Sequence, residues 1–385
     1  MLVIVHSEVY GKRLEDVLPL LAADLRLQVV FTVAPHPFND GAEQLVRRLG
    51  GSVLPWAQAV GERFDLALAA GSRGIDQVRA PVVLLSHGAR RMRLERAVEG
   101  VLPAMRKVTG LSPRYLTRED DVVPVSIALA HDEERDELAR SCPQAVPRAE
   151  VVGDPCHDRI AVSLSSRDRY RAALGLEERE KLVLVTSAWG RHSAFSRLDG
   201  LLPRLMTELP RPEYRVAVLV HPNVWAWHGK WQVRAWTSGF ERSGITLLSP
   251  DQEWRPALIA ADWIIGDYSS VTLYGTMTGA PVLLSRYPQE NANLASPGAA
   301  MALTVPALSA HHPLTEQLAY AAEEYRAEEY AALAARICSG PGEFNRRFRR
   351  VIYRILGLGQ PACRPEIRPL PLPPSLSALA VAVSA

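Results

Sequence analysis

Two histidines and one acid–hydroxyl quartet are the groups in this chain best placed to do chemistry. His87 follows the apolar run Val82 to Leu85 and precedes Gly88; His221 follows Arg215 to Val220 and precedes Pro222. Asp267, Tyr268, Ser269 and Ser270 follow the apolar run Trp263 to Gly266. An imidazole titrates near neutrality, so His87 is a candidate general base toward a hydroxyl. Gly88 beside it lets a ligand approach the backbone. His221 is a candidate donor to a phosphate or a leaving group. The stretch Ala260 to Leu284 reads as strand, polar turn, helix, Gly-Pro, strand, which is one β-α-β unit. Hydroxyls at such a turn can join the free N–H groups of the helix start in holding an anion. Ser269 and Ser270, with Tyr268, are therefore the candidate phosphate-binding residues. Other readings stay open at this point. Asp267 could orient a ribose or a histidine, or could cap the helix after it. Each histidine could instead hold its own loop, and the serines could be plain first-turn residues.

The elements that must position these groups alternate strand and helix. In the first half the strands are Leu2 to Val5, Leu27 to Val33, Leu66 to Ala69, Val82 to Leu85, Pro124 to Ala130 and Glu150 to Val152. Helical periodicity covers Lys12 to Leu25, Asp40 to Leu49 and Asp132 to Arg140. The pattern restarts at Lys181 to Thr186 and continues through Arg215 to Val220, Ile245 to Leu248, Trp263 to Gly266 and Val282 to Leu284. Trp225 to Arg242 reads as one helix, Pro313 to Cys338 as a long helical region, and Glu343 to Leu356 as a basic amphipathic helix. The expectation is an α/β protein of two Rossmann-like β/α domains facing across a cleft, with ligands at the carboxyl ends of the strands. The expected domains are 1–155 and 156–342, then a helix over 343–359 returning to the first domain, then a Pro-rich disordered tail over 360–385. Strand-end turns also make Gly153, Asp154 and Trp189 supporting candidates.

Composition narrows the function classes. The 385 residues are 48% hydrophobic and 22% charged, an ordinary globular balance for two domains. A net charge of +2 gives no electrostatic case for nucleic acid. The four cysteines form no CxxC pair, so no cysteine-based zinc site or disulfide framework is indicated. The histidines lack HExxH spacing, and there is no Asp-x-Asp, GxGxxG, GxxxxGK[ST] or GxSxG. The N-terminus lacks the pattern of a signal peptide, and no stretch approaches the roughly 18 apolar residues of a membrane span. The expected setting is cytoplasmic, with peripheral contact at the inner face of a membrane still compatible. Seven of the eight tryptophans lie between Trp189 and Trp263, and packing or a domain-contact surface is the expected use of most. Arg90, Arg91 and Arg93 could bind a phosphate on an acceptor or form a solvated helix face.

The order of these motifs resembles the CDP-glycerol glycerophosphotransferases, the teichoic-acid polymerase and primase group. The resemblance rests on Ser86-His87-Gly88, Gly153-Asp154-Pro155 with Asp158, His221-Pro222 and Asp267-Tyr268-Ser269-Ser270, over roughly residues 80 to 290. The chain departs at Ser86, where that family usually has Trp, at Ala89-Arg90-Arg91, where Pro and Lys are usual, and at Tyr274, often Asp. The family's membrane-binding helical extension is not evident. The resemblance implies the two-domain GT-B fold, with His87 as the base on an acceptor hydroxyl. It places His221 near the donor phosphates and Ser269 and Ser270 on the diphosphate. It implies a polyol phosphate or sugar leaving a nucleotide-linked donor, CDP-linked in that family, with no cofactor and no metal. A UDP-sugar 2-epimerase-like enzyme and a non-catalytic nucleotide- or partner-binding protein are the alternatives.

Overall fold

The computed structural model describes residues 1–96, 106–191 and 193–379; His192 and the end of the expected tail lie outside the described residues. Most of the strands are short apolar runs buried on both faces, as parallel sheets require, and three two-residue strands are exposed or half-exposed. In chain order they are β1 (Leu2–Val5), β2 (Val30–Val33), β3 (Ser52–Val53), β4 (Ala67–Ala69), β5 (Val82–Leu85), β6 (Thr117–Arg118), β7 (Asp121–Val122), β8 (Pro124–Leu129) and β9 (Ala149–Val151). β6 and β7 make a small antiparallel pair, and the others make a parallel sheet in the order β3-β2-β1-β4-β5-β8-β9. A second parallel sheet follows from β10 (Lys181–Ser187), β11 (Tyr214–Val220), β12 (Ile245–Leu248), β13 (Trp263–Asp267) and β14 (Val282–Arg286), in the order β12-β11-β10-β13-β14. Both sheets are wound outward from a central strand. β1 has β2 on one side and β4 on the other, and β10 has β11 and β13. Helical connections then leave in opposite directions, which opens a crevice at the carboxyl end of each central strand.

The chain divides into two compact units, Met1–Asp158 with Arg336–Ile367, and Arg159–Ala335 with Arg368–Ala385. The dividing points therefore differ from those read from the sequence. The first unit keeps Asp158 because its carboxylate accepts from the Gly342 N–H at 2.8 Å and the Phe344 N–H at 3.1 Å. These bonds fasten the start of the helix Phe344–Ile355, which belongs to the first unit. Strand alternation sends Val3 and Val5 to the face that also buries Phe344, Phe348 and Ile352. Leu2 and Ile4 face the other way, with Ala67, Ala69, Leu84 and Leu129. Each large apolar side chain buried there contributes about 1.5–3 kcal/mol. In the second unit Val183, Val185, Val216 and Val218 pack with Leu205, Phe240 and Leu318.

Three readings are corrected by local chemistry. The helix expected over Lys12 to Leu25 is Glu8–Glu15 followed by a tight 3-10 turn at Leu18–Leu20, because Pro19 lacks the N–H a continuing helix needs. The single helix expected over Trp225 to Arg242 is two, Pro222–His228 and Lys230–Arg242, broken at Gly229 with φ of 79°. The tail expected to be disordered is held as far as it is described. Tyr170 Oη donates to the Leu370 carbonyl at 3.0 Å, Leu370 N–H donates to Ser163 Oγ at 2.9 Å, and Leu376 N–H donates to the Leu174 carbonyl at 3.0 Å. Leu370, Leu376 and Leu379 are buried, so this Pro-rich segment carries its own apolar anchors. Among the described residues no helix is long and apolar enough to cross a membrane.

Candidate functional site

The carboxyl edge of the first sheet gathers His87 with three groups that local sequence did not connect to it. His87 is exposed on the turn after β5, and its ring meets the Tyr10 ring edge-on at 4.4 Å and 86°. Tyr10 also meets His6 at 5.9 Å and His36 at 5.8 Å. His6 follows β1 and is fully buried. Its Nε2–H donates to the Arg73 carbonyl at 2.7 Å, which bridges the crevice between β1 and β4. That bond fixes the proton on Nε2 and leaves Nδ1 a buried acceptor with no hydrogen-bond partner. Burial lowers the His6 pKa to about 4, and burial also lowers that of His36 and raises that of Tyr10. The three are neutral at pH 7. Gly71 makes this approach feasible, since a Cβ there would sit 3.1 Å from the His6 ring and from Tyr10 Cε2.

The supporting residues of this edge prove to be framework. Gly88 adopts φ of 72°, and its carbonyl accepts from Arg13 Nη2 at 3.2 Å. Arg13 is itself held by both Asp154 oxygens at 3.1 Å, and both side chains are buried. Asp154 also accepts from the His157 N–H at 2.9 Å. Asp154 thus acts on the His87 turn from beneath, through Arg13. Gly153 has φ of 100°, and a Cβ there would lie 3.3 Å from Cys338 Sγ and 3.6 Å from Phe344. The Gly-Asp-Pro element is accordingly a clasp for the returning helix. Arg90 is buried, and it donates to the Arg336 carbonyl at 2.6 Å and to Glu133 at 3.1 Å. It is spent inside the first unit rather than offered to a phosphate. Among the described residues, His157, Asp158 and Cys338 bring possible ligand atoms within 4.8 Å of one another. Asp158 is already committed there to two backbone N–H groups and to His157 Nδ1 at 3.2 Å.

The carboxyl edge of the second sheet is organised by Asp267, at the end of β13. Its Oδ2 accepts from the Ala188 N–H at 2.8 Å and the Ala194 N–H at 2.9 Å. The buried carboxylate therefore pins the loop after β10 against the end of β13, across the point where the strand order reverses. Asp267 is a loop anchor and not the cap of the following helix; that cap is Ser269, whose Oγ accepts from the Thr272 N–H at 3.3 Å. Ser269 Oγ is also 2.9 Å from Thr272 Oγ1, which is 3.1 Å from Thr186 Oγ1 on β10. The three hydroxyls form one row. Gly266 leaves room for it, because a Cβ there would meet Thr272 Oγ1 at 2.3 Å and Thr186 Oγ1 at 2.7 Å. If Thr186 donates to Thr272 and Thr272 to Ser269, the Ser269 proton is left to point outward.

Ser270 is half-buried in the first turn beside Ser269. Tyr268 is not with them: it is buried, its hydroxyl is paired with Ser296 Oγ at 2.8 Å, and its ring meets Tyr287 at 5.2 Å. Trp189 is exposed on the loop that Asp267 pins. His221 follows β11 and accepts from the Asn223 N–H through Nδ1 at 3.0 Å, capping the helix Pro222–His228. The neutral ring then carries its proton on Nε2, a donor. His131 caps its helix in the same way, accepting from the Glu133 N–H at 3.2 Å.

No family model matches this chain, and no curated protein matches it either. Solved structures do. The wall teichoic acid polymerase TagF, in a histidine-to-asparagine variant soaked with CDPG, superposes with a TM-score of 0.65 at 15% identity, over 93% of this chain and 88% of that one. A second TagF structure gives 0.65 at 14% identity, over 93% and 89%. Anabaena Alr3699/HepE in complex with UDP and glucose gives 0.50 at 12% identity, over 92% and 99%. At these identities the shared property is the fold, the two-unit α/β architecture of GT-B glycosyltransferases.

Proposed function

We propose that this chain is a transferase that moves a polyol phosphate or a sugar from a nucleotide-diphosphate-linked donor to a hydroxyl acceptor, with neither metal nor cofactor. The observation that carries this reading is the Asp267 anchor, which sets the loop after β10 beside Ser269 and Ser270 at the reversal point of the second sheet. Hydroxyls and backbone N–H groups at such a point suit a diphosphate. The fold likeness supports the same donor class, since the TagF structure was soaked with CDPG and the HepE structure holds UDP and glucose.

In this mechanism the second unit binds the nucleotide diphosphate. Ser269, Ser270 and His221 Nε2–H meet the charge that grows on the leaving phosphate. His87, exposed and braced by Tyr10, takes the proton from the acceptor hydroxyl as its oxygen attacks the donor. Tyr268 and Asp154, bound up in framework contacts, have no direct part.

Thermal shift with CDP, UDP, GDP and ADP tests the binding half. A nucleotide at 100 times its dissociation constant stabilises by about 2.7 kcal/mol, and the Ser269→Ala/Ser270→Ala protein is expected to lose that gain. Stabilisation by none of the four would overturn the reading. With the nucleotide identified, turnover of the matching donor is expected to fall by about 10²–10⁴ in His87→Ala with the melting temperature unchanged, and to persist in EDTA.

A further inference from the structure

We infer that the two helices after β11 form a docking face for an anionic lipid surface. Packing or a domain-contact surface is the expected use of most of the tryptophans, and Trp225, which is 6% exposed, is packed. Its neighbours are not packed. Trp227 is 65% exposed, Trp231 77% and Trp236 48%. Large indoles presented to water within ten residues of one another are not ordinary surface. Trp236 is also held in place: its ring meets His228 at 4.9 Å and Phe195 at 6.2 Å.

Charge selects the occupant. Over the two helices, Pro222 to Arg242, the sequence contains Lys230, Arg234 and Arg242 against one acid, Glu241, which follows the last of the indoles. Indole rings interleaved with cations, with no carboxylate among them, match the boundary of a bilayer, where the ring body enters the acyl edge and the N–H stays with the headgroups. Lys230, exposed between Trp227 and Trp231, supplies the attraction to anionic headgroups. The basic helix Phe344–Ile355, the other candidate for such contact, spends its apolar side in the core of the first unit. This inference stands independently of the donor chemistry proposed above.

The test is sedimentation of the full chain with vesicles of equal parts phosphatidylcholine and phosphatidylglycerol, against vesicles of phosphatidylcholine alone. The wild type is expected to sediment with the anionic vesicles, less so as salt rises, and to show a blue shift of tryptophan emission on binding. Trp227→Ser/Trp231→Ser is expected to lose most of the bound fraction at an unchanged melting temperature, and Lys230→Gln to weaken partitioning about fivefold. No sedimentation with anionic vesicles, or equal sedimentation of the double variant, would overturn the proposal. So would a wild-type dimer on gel filtration that becomes a monomer in the double variant, because the face would then join two copies of the chain.

Discussion

The two carboxyl edges share a winding and differ in how the central crevice is tied. In the first unit the tie is a neutral ring: His6 donates from β1 to the Arg73 carbonyl, and Tyr10, His36 and His87 gather around it. In the second the tie is a carboxylate: Asp267 reaches from β13 to two backbone N–H groups beyond β10, with a row of hydroxyls beneath. At the first edge burial keeps the His6, His36 and Tyr10 rings neutral. Under the proposed function, the exposed His87 beside them takes a proton, while the hydroxyl and N–H donors of the second edge meet an anion. One topology therefore ties its crevices in two ways, set by the few residues that end its strands.

The largest expected effect breaks the first edge from below. Asp154→Ala strands Arg13 as a buried cation without its partner, a change that destabilises by about 3–5 kcal/mol. It also loosens the hold of Arg13 on the Gly88 carbonyl, so the His87 turn should move with it. Urea denaturation measures the first consequence. A loss under about 1 kcal/mol would mean that the pair does not support this edge.

Acid should separate the two edges next. His6 has a folded pKa of about 4 against an ordinary 6.5, because burial disfavours its charged form. Between those values the unfolded chain binds a proton that the folded one refuses, so stability falls as pH drops. The contribution is complete above pH 6.5 and is lost on approach to pH 4, on the order of 3 kcal/mol in all. His36 shifts in the same direction, so the reading is the difference between wild type and His6→Gln, followed by denaturation from pH 7.5 to pH 4. A difference that stays constant over that range would show that His6 is not held neutral.

Asp267→Asn is the counterpart in the second unit. The amide oxygen can take the place of Oδ2 and still accept from both N–H groups, but the charge that strengthens the two bonds is lost, for an expected loss of about 2 kcal/mol. Nucleotide-induced stabilisation should fall with it, whereas His6→Gln should leave nucleotide stabilisation intact. Equal effects of the two variants on nucleotide binding would erase the distinction between the edges.

Much of the scaffold is legible in the chain, and the ties are not. Apolar runs give β1, β5 and β12 with the bounds observed, because a strand buried on both faces writes its own length. His87, His221 and Ser269 are found because each ends or follows such a run. The Arg13–Asp154 pair spans 141 residues and the His6–Arg73 bond spans 67, and no local period records either. Tyr268 lies next to Ser269 in sequence, yet in the turn after β13 its side chain is buried against Ser296 and Tyr287. Two further signals stand in the sequence. His6 is the first polar residue after the fully apolar β1, and Gly266 is a glycine inside a strand, which marks a close approach.

The smallest effect concerns that glycine and the hydroxyls it admits. If Thr186 and Thr272 aim the Ser269 proton outward, neither need touch the ligand to matter. Thr186→Val removes the first hydroxyl and keeps the shape, at about 1 kcal/mol of stability. Its effect on binding is then read with CDP or UDP in a double-mutant cycle with Ser269→Ala. A row that acts through Ser269 predicts that Thr186→Val weakens the nucleotide in the wild-type background and has no further effect once Ser269 is alanine, with a coupling of about 0.5–1 kcal/mol. Additive losses would mean that the threonines only pack β10 against β13. The second edge would then owe its hydroxyl chemistry to Ser269 and Ser270 alone, and the contrast with the first would rest on Asp267.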